Sequence, residues 1–268
     1  MKKLSIFSIV LLIIYSCEKD NPKTDIDYSI FISSDSITTG INFYPLETYE
    51  SYNSIGKPDL KLYFSSTKCY MGGSYQLAVS KFIENNKLIV RFDSIQGSQF
   101  GFLEPTTADA YIDLPENINR ISLINGHIID KYEVFISKEK VEIDSIVKNY
   151  TDVIYSKIFR YPENTFNFTC WTDSTDKNLC TDYLNILFNE LLLVEYEFSG
   201  EGIIPYPYYS STSSGHYVAV LKYEKESNFD RAGELLEAFT LERIPPNEGK
   251  SISLFGWNNK QFHSWTFY

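Results

Sequence analysis

The side chains able to do chemistry are few and scattered. His127, His216 and His263 lie in three separate segments, none of them within a motif. His127 follows the turn pair Asn125-Gly126, His216 ends a Gly-, Ser- and Pro-rich stretch, and His263 sits between Phe262 and Ser264. A hydroxyl nucleophile needs a base within hydrogen-bond reach. No G-x-S-x-G elbow, P-loop, G-x-G-x-x-G or H-E-x-x-H supplies such a frame. Glu195 and Glu197 share a face if their segment is a strand, whereas glycosidases hold two carboxyls about 5–10 Å apart across a cleft. Asp173, Thr175 and Asp176 lack the glycine and the closing glutamate of a calcium loop and read better as helix caps. No C-x-x-C or Cys/His cluster has zinc spacing. The expectation is a protein without metal or cofactor, and one of binding type rather than an enzyme.

The cysteines carry more. Cys170 ends an apolar strand face shared with Phe166 and Phe168, and Cys180 falls in the first turn of a helical pattern. The two can close the Asp173–Asp176 loop as a disulfide, worth about 2–4 kcal/mol, or stay as two thiols in an apolar layer. Cys69 is then unpaired and expected inside the β core. Cys17 stands apart. Lys2 and Lys3 precede an apolar run from Ile6 to Tyr15, which ends in Ile14-Tyr15-Ser16-Cys17. The run is too short to span a bilayer core of about 30 Å and fits the apolar part of a secretory signal. Its end resembles the lipobox of bacterial lipoproteins. That resemblance implies cleavage before Cys17, a diacylglycerol on its thiol and a further acyl chain such as palmitate on its amine. Each buried CH₂ adds about 0.8 kcal/mol of membrane attachment. The charged segment Glu18 to Asp25 is similar to the export tether of Bacteroidetes-type surface lipoproteins. The implied location is the outer membrane, on its inner face or, at the cell surface, on its outer one.

Composition narrows the partners. The formal charge is −11, and removal of the signal with its two lysines leaves 22 basic against 35 acidic residues, or −13. Such a surface repels nucleic acid. With 21 Tyr and 19 Phe, the chain favours strands.

The elements that must position these residues fall into two patterns. Residues 1–16 are the expected signal and 17–27 the acidic tether. Over 28–146, apolar residues alternate: Leu60, Leu62 and Phe64; Leu88, Val90 and Phe92; Tyr132, Val134 and Ile136; Val141 and Ile143. Period two with turn residues between predicts half-buried antiparallel strands and an Ig-like β-sandwich, in architecture only. Over 147–268 two helical periods enter, at Leu179 to Glu190 and from Ser227 to Phe239, between strands that include Leu192 to Phe198. The order β-α-β-β-α-β is that of a ferredoxin-like fold.

The stretch between Gly200 and Gly215 places Tyr206, Tyr208 and Tyr209 among Gly, Pro and Ser. Exposed, these rings suit a protein or sugar surface; folded back, they pack on their own sheet. Asp-Ser followed by Ile or Thr recurs at Ser36, Ser94, Ser145 and Ser174. It resembles the O-glycosylation signal of secreted Bacteroidetes-type proteins, and is also ordinary turn chemistry. The leading expectation is a non-enzymatic surface lipoprotein that binds a partner. A glycan-binding accessory lipoprotein of a nutrient-uptake system comes second, and a hydrolase whose site forms only in three dimensions comes third.

Overall fold

The computed structural model describes residues 26–97, 104–173, 176, 178–207 and 216–268. Cys17 and the signal therefore lie outside the described residues. The chain divides between Phe31 and Ile32. In the first unit a 3-10 turn, Tyr28–Ile30, starts at Asp27, whose carboxylate accepts from the Ser29 N–H at 2.9 Å.

The second unit, Ile32–Tyr268, is mainly β and holds two sheets. The first is built from β1 (Ile41–Thr48), β2 (Asp59–Tyr70), β3 (Tyr75–Glu84), β4 (Lys87–Gly97), β5 (Thr106–Asp113), β6 (Arg120–Asn125), β7 (Ile128–Ile136), β8 (Lys140–Val147), β9 (Thr151–Val153) and β10 (Lys157–Phe159). They are ordered β10-β8-β7-β6-β4-β3-β5-β2-β1-β9. The alternating apolar residues line one core: Leu62, Phe64, Leu88, Val90, Phe92, Tyr132 and Val141 are fully buried. Phe43 of β1 meets Tyr132 of β7 with ring centroids 4.9 Å apart, although six places separate their strands in the sheet. The sheet therefore curls until its two halves face each other. Three pairings are parallel, β1–β9, β3–β5 and β4–β6, so the sheet is mixed rather than antiparallel throughout. Alternation reports which face is buried and is silent on strand direction.

The ends of this sheet are joined. β9 and β10 stand at its opposite edges, yet only Ile154–Ser156 separates them. The Ile154 N–H donates to the Phe43 carbonyl at 2.9 Å, and the Ile143 N–H to the Ser156 carbonyl at 2.8 Å. β9 pairs only with Ile41–Phe43. Pro45, two residues on, turns its nitrogen to that unpaired edge, where a missing N–H costs no ladder bond.

Asp130 of β7 fixes where the closing segment begins. Its fully buried carboxylate accepts from the backbone N–H groups of Asn149 (2.7 Å), Tyr150 (3.0 Å) and Thr151 (2.8 Å), the Asn149 side-chain amide and the Thr151 hydroxyl. Burial raises its pKa, but these donors outweigh burial and hold the carboxyl below its ordinary value.

The second sheet comprises β11 (Thr165–Trp171), β12 (Val194–Glu195), β13 (His216–Lys222), β14 (Ser251–Gly256) and β15 (Gln261–His263), ordered β12-β13-β11-β14-β15 with every pairing antiparallel. Helices α1 (Leu179–Leu191) and α2 (Glu226–Arg243) pack on one face, over Phe166, Phe168, Cys170, Leu221 and Leu254. Cys170 and Cys180 form a disulfide across that layer, with Cα atoms 5.7 Å apart. Gly233 lies inside α2, where glycine costs about 1 kcal/mol against alanine. A Cβ there would stand 2.5 Å from the Phe262 ring, so the glycine allows the helix to approach β15.

Three local expectations differ from the structure. The strand over Leu192–Phe198 shortens to Val194–Glu195, because Leu192 ends α1 in the left-handed region at φ 50. The caps differ too: the N-cap of α1 is Asn178, not a residue of Asp173–Asp176, and that of α2 is Lys225, neither with a side-chain cap bond, and Asn228 instead donates to the Leu191 carbonyl at the end of α1. Cys69 is exposed rather than in the core, since β2 is irregular between Ser65 and Cys69 and leaves the core there.

Replacing Asp130 with Ala strands three backbone donors and is expected to lower stability by about 2–4 kcal/mol at neutral pH. The folded carboxyl is depressed, so its contribution is complete above the unfolded value near 3.8 and is lost as pH falls through the folded value. Urea midpoints at pH 7 and pH 3 should show the gap between wild type and Asp130→Asn narrowing in acid. An unchanged gap would contradict the assignment.

Candidate functional site

A cleft of about 390 Å³ opens between the two sheets. It is organised on the five residues that lead from β10 to β11, beginning with Arg160. The Arg160 side chain is 6% exposed and its partner Glu47, near the end of β1, is 2% exposed. Nε donates to Glu47 Oε1 at 2.8 Å, Nη1 to the Ser137 carbonyl at 3.0 Å and Nη2 to Glu116 Oε1 at 2.9 Å. The second oxygen of Glu47 accepts from the Tyr161 N–H at 2.7 Å. Burial pushes the Glu47 carboxyl up, opposed by the Tyr161 N–H and Arg160. The exposed Glu116 moves the other way, held down first by its hydrogen bond from Arg160. Two carboxylates shifted apart can serve as an acid and a base. Here the raised one, Glu47, is sealed with both oxygens engaged, so the pair is a clamp rather than an acid–base couple.

The wall from the second sheet carries Tyr196, Lys222 and Trp257, facing Lys57, Glu116 and Glu139 of the first. Its placement follows from a clasp between the β1–β2 connection and the β14–β15 turn. The Tyr49 hydroxyl donates to the Trp257 carbonyl at 2.7 Å, and the Gly56 N–H to the Asn258 carbonyl at 2.9 Å. The Asn259 amide donates to the Tyr52 and Ser54 carbonyls, both at 2.9 Å. Trp257 Nε1 donates to the Tyr223 hydroxyl at 3.1 Å, which fixes the indole plane. The result is a recess with both signs of charge and aromatic side chains on its wall, suited to holding a polar ligand.

Tyr206 lies behind this cleft. It is 4% exposed, packs edge-on against Tyr161 at 5.0 Å, and its hydroxyl meets the Thr165 hydroxyl at 2.6 Å. The Tyr161 hydroxyl donates to the Pro205 carbonyl at 2.8 Å, and burial pushes this phenol up to about 12. Upstream, Ile203 bridges to Ile158, its N–H donating to the Lys157 carbonyl and its carbonyl accepting from the Phe159 N–H. The described part of this loop thus joins the edge of the first sheet. Tyr208 and Tyr209 lie outside the described residues.

The histidines are not brought together. His127 is exposed in the β6–β7 turn, and His216 stacks on Trp171 at 4.3 Å. His263 Nδ1 contacts Ser253 Oγ at 3.0 Å and its Nε2 contacts Gln261 Oε1 at 3.2 Å. This hydroxyl–imidazole pair has an amide where a triad needs a carboxylate, and Ser253 is 4% exposed. Among the described residues no group of three or more His, Cys, Asp or Glu is placed to hold a metal ion. Ser36, Ser94 and Ser145 are exposed, and Ser174 lies outside the described residues. Sequence reasoning missed Arg160, Glu47 and Trp257 as a set. Their only trace is an arginine amid an apolar and aromatic segment, Ile158-Phe159-Arg160-Tyr161.

Arg160→Ala leaves Glu47 buried and unpaired, and should cost about 3–5 kcal/mol in urea unfolding. Arg160→Lys should not restore the loss, because an ammonium cannot reach three divergent acceptors. Full recovery by lysine would show that charge alone matters.

No protein-family model, curated protein or solved structure matches the chain.

Proposed function

We propose that the chain is a non-enzymatic, lipid-anchored binding protein of the outer membrane, facing outward, which takes its ligand or partner in the cleft between the two sheets. The observation that carries the binding part is the recess itself, with Trp257 and Tyr196 on a wall held by the Arg160 clamp and the Asn259 clasp. The location rests on the lipobox resemblance at Cys17 and on the charged residues behind it. The same reading takes the first sheet as an Ig-like sandwich, supported by a core packed between facing halves of one sheet. It takes the second as ferredoxin-like, supported by the order β12-β13-β11-β14 with two helices on one face. Exposure of Ser36, Ser94 and Ser145 is compatible with O-glycosylation at these positions.

A second reading, glycan binding in a nutrient-uptake system, is favoured by one specific observation: some tyrosines stand on an outer surface of the first sheet, apart from the loop. Tyr111 is 56% and Tyr155 42% exposed.

Cys17→Ala should move the protein from the membrane to the soluble fraction, and the mature wild type should carry the mass of its acyl chains. A variant that stays in the membrane would sink the anchor. For the cleft, ligand entry should change tryptophan emission in the wild type and not in Trp257→Phe. An identical response from both would place binding elsewhere.

A further inference from the structure

One row of rings on the outside of the first sheet is not explained by the core or by the cleft. Tyr44 of β1 pairs directly with Tyr63 of β2, and Tyr63 with Tyr111 of β5. The ring centroids lie 5.2 Å and 4.9 Å apart. Tyr155, between β9 and β10, extends the row beyond Tyr44 at 5.1 Å. Four tyrosines thus run across the strands, on the face opposite the buried Phe43, Leu62, Phe64 and Ile112.

The neighbours of this row decide what fits it. On one side the cross-strand register places Asn42, Ser65 and Asp109 in line; on the other it places Leu46, Lys61 and Asp113. The row of rings is therefore flanked on both sides by hydrogen-bonding side chains (Leu46 alone excepted), since adjacent residues on one strand face are about 7 Å apart. An apolar peptide or lipid surface would bury Asn42, Ser65 and Asp109 without partners, at a cost for each. A polyanion would meet Asp109, Asp113 and a chain of net charge −11. A neutral polyhydroxylated chain has what the surface asks for. Its C–H faces lie on the rings, and its hydroxyls reach the amide, hydroxyl and carboxylate beside them. The rings are tilted to one another by 48°, 56° and 70°, a ridged strip rather than a flat one. That shape suits a single chain whose sugar rings turn along its length, rather than the flat face of a crystalline polymer.

We propose that the tyrosine row Tyr111–Tyr63–Tyr44–Tyr155 binds a single neutral polysaccharide chain. This rests on the glycan-binding reading and places it outside the cleft. Native gel electrophoresis of the full chain through gels containing hydroxyethyl cellulose, mixed-linkage β-glucan, xyloglucan, dextran or soluble starch tests it. At least one polymer should retard the wild type. Tyr111→Ala and Tyr155→Ala should each weaken that association about tenfold, while Tyr111→Phe, which keeps the ring, stays within about threefold. Both alanine variants remove exposed rings, so their thermal midpoints should match the wild type. No retardation by any of these polymers overturns the glycan reading and this proposal together. Retardation lost in Trp257→Phe but kept in both alanine variants leaves glycan binding standing, in the cleft, and overturns the row. Retardation by heparin in place of the neutral polymers overturns it as well. So does protection of Tyr111 and Tyr155 from tetranitromethane by casein peptides but not by the polymers, since the surface would then take protein.

Discussion

The buried pair Arg160–Glu47 is the constraint on which the arrangement of the two sheets depends. Taking an ion pair out of water costs several kcal/mol per ion, and an apolar pair of the same volume is often as stable. Direction is what the guanidinium adds. Its donors are fixed in a plane, and here they read three acceptors from three separate segments: Glu47 at the end of β1, Glu116 between β5 and β6, and the Ser137 carbonyl after β7. One residue is thereby located against most of the width of the first sheet. The chain enters β11 five residues later, so the second sheet starts from a fixed point. The clasp of Asn259 on the Ser51–Ser54 turn then removes the remaining freedom between them.

The same pair ends a second problem, the closure of the first sheet. The closing run from Thr151 to Phe159 contributes two strands of three residues each. Such strands bury little apolar surface, and a short edge strand is held weakly by its ladder. Polar anchors at both ends supply what the ladder lacks: Asp130 gathers the N–H groups of residues 149–151, and Arg160 sets the exit. Ile203 covers the outer edge of β10 through two backbone bonds, which removes an edge that could pair with another chain. The stretch around Tyr206 is therefore a fastening of one sheet to the other, and this is why Tyr206 lies inside.

This division explains what could be read from the residues beforehand. The alternation of Leu60, Leu62 and Phe64, or of Leu88, Val90 and Phe92, reports a buried face directly, because side chains on a strand point to opposite sides in turn. Helical spacing at Leu179, Tyr183, Leu184 and Leu187 reports α1 in the same way. β9 and β10 are too short to show any period, so the closure they make was invisible. The cleft was invisible for a different reason. Glu47, Glu116, Arg160 and Trp257 are brought together by long-range pairing, and nothing local marks a glutamate at the end of a strand as a buried ligand of an arginine far along the chain. The tyrosine row was half visible: Tyr63 stands between Leu62 and Phe64 and must face outward, but only register shows that Tyr44 and Tyr111 stand beside it.

Strand β1 joins the inner clamp to the outer surface. Glu47 and Tyr44 are three residues apart on it and point to opposite faces, one into the Arg160 pair and the other into the row of rings. A strand whose end is fixed by two charged hydrogen bonds cannot slip by one residue without turning Phe43 outward and Tyr44 into the core. The register that aligns Tyr44 with Tyr63 is therefore enforced from the inside. Tyrosine, rather than phenylalanine, is the residue that such an outer row permits. Its ring supplies apolar area while its hydroxyl stays hydrated, so the row can remain exposed without becoming the flat hydrophobic surface that invites association. An exposed aromatic strip that costs little to keep in water, and whose spacing is held by a buried ion pair, is a surface already ordered before anything binds to it.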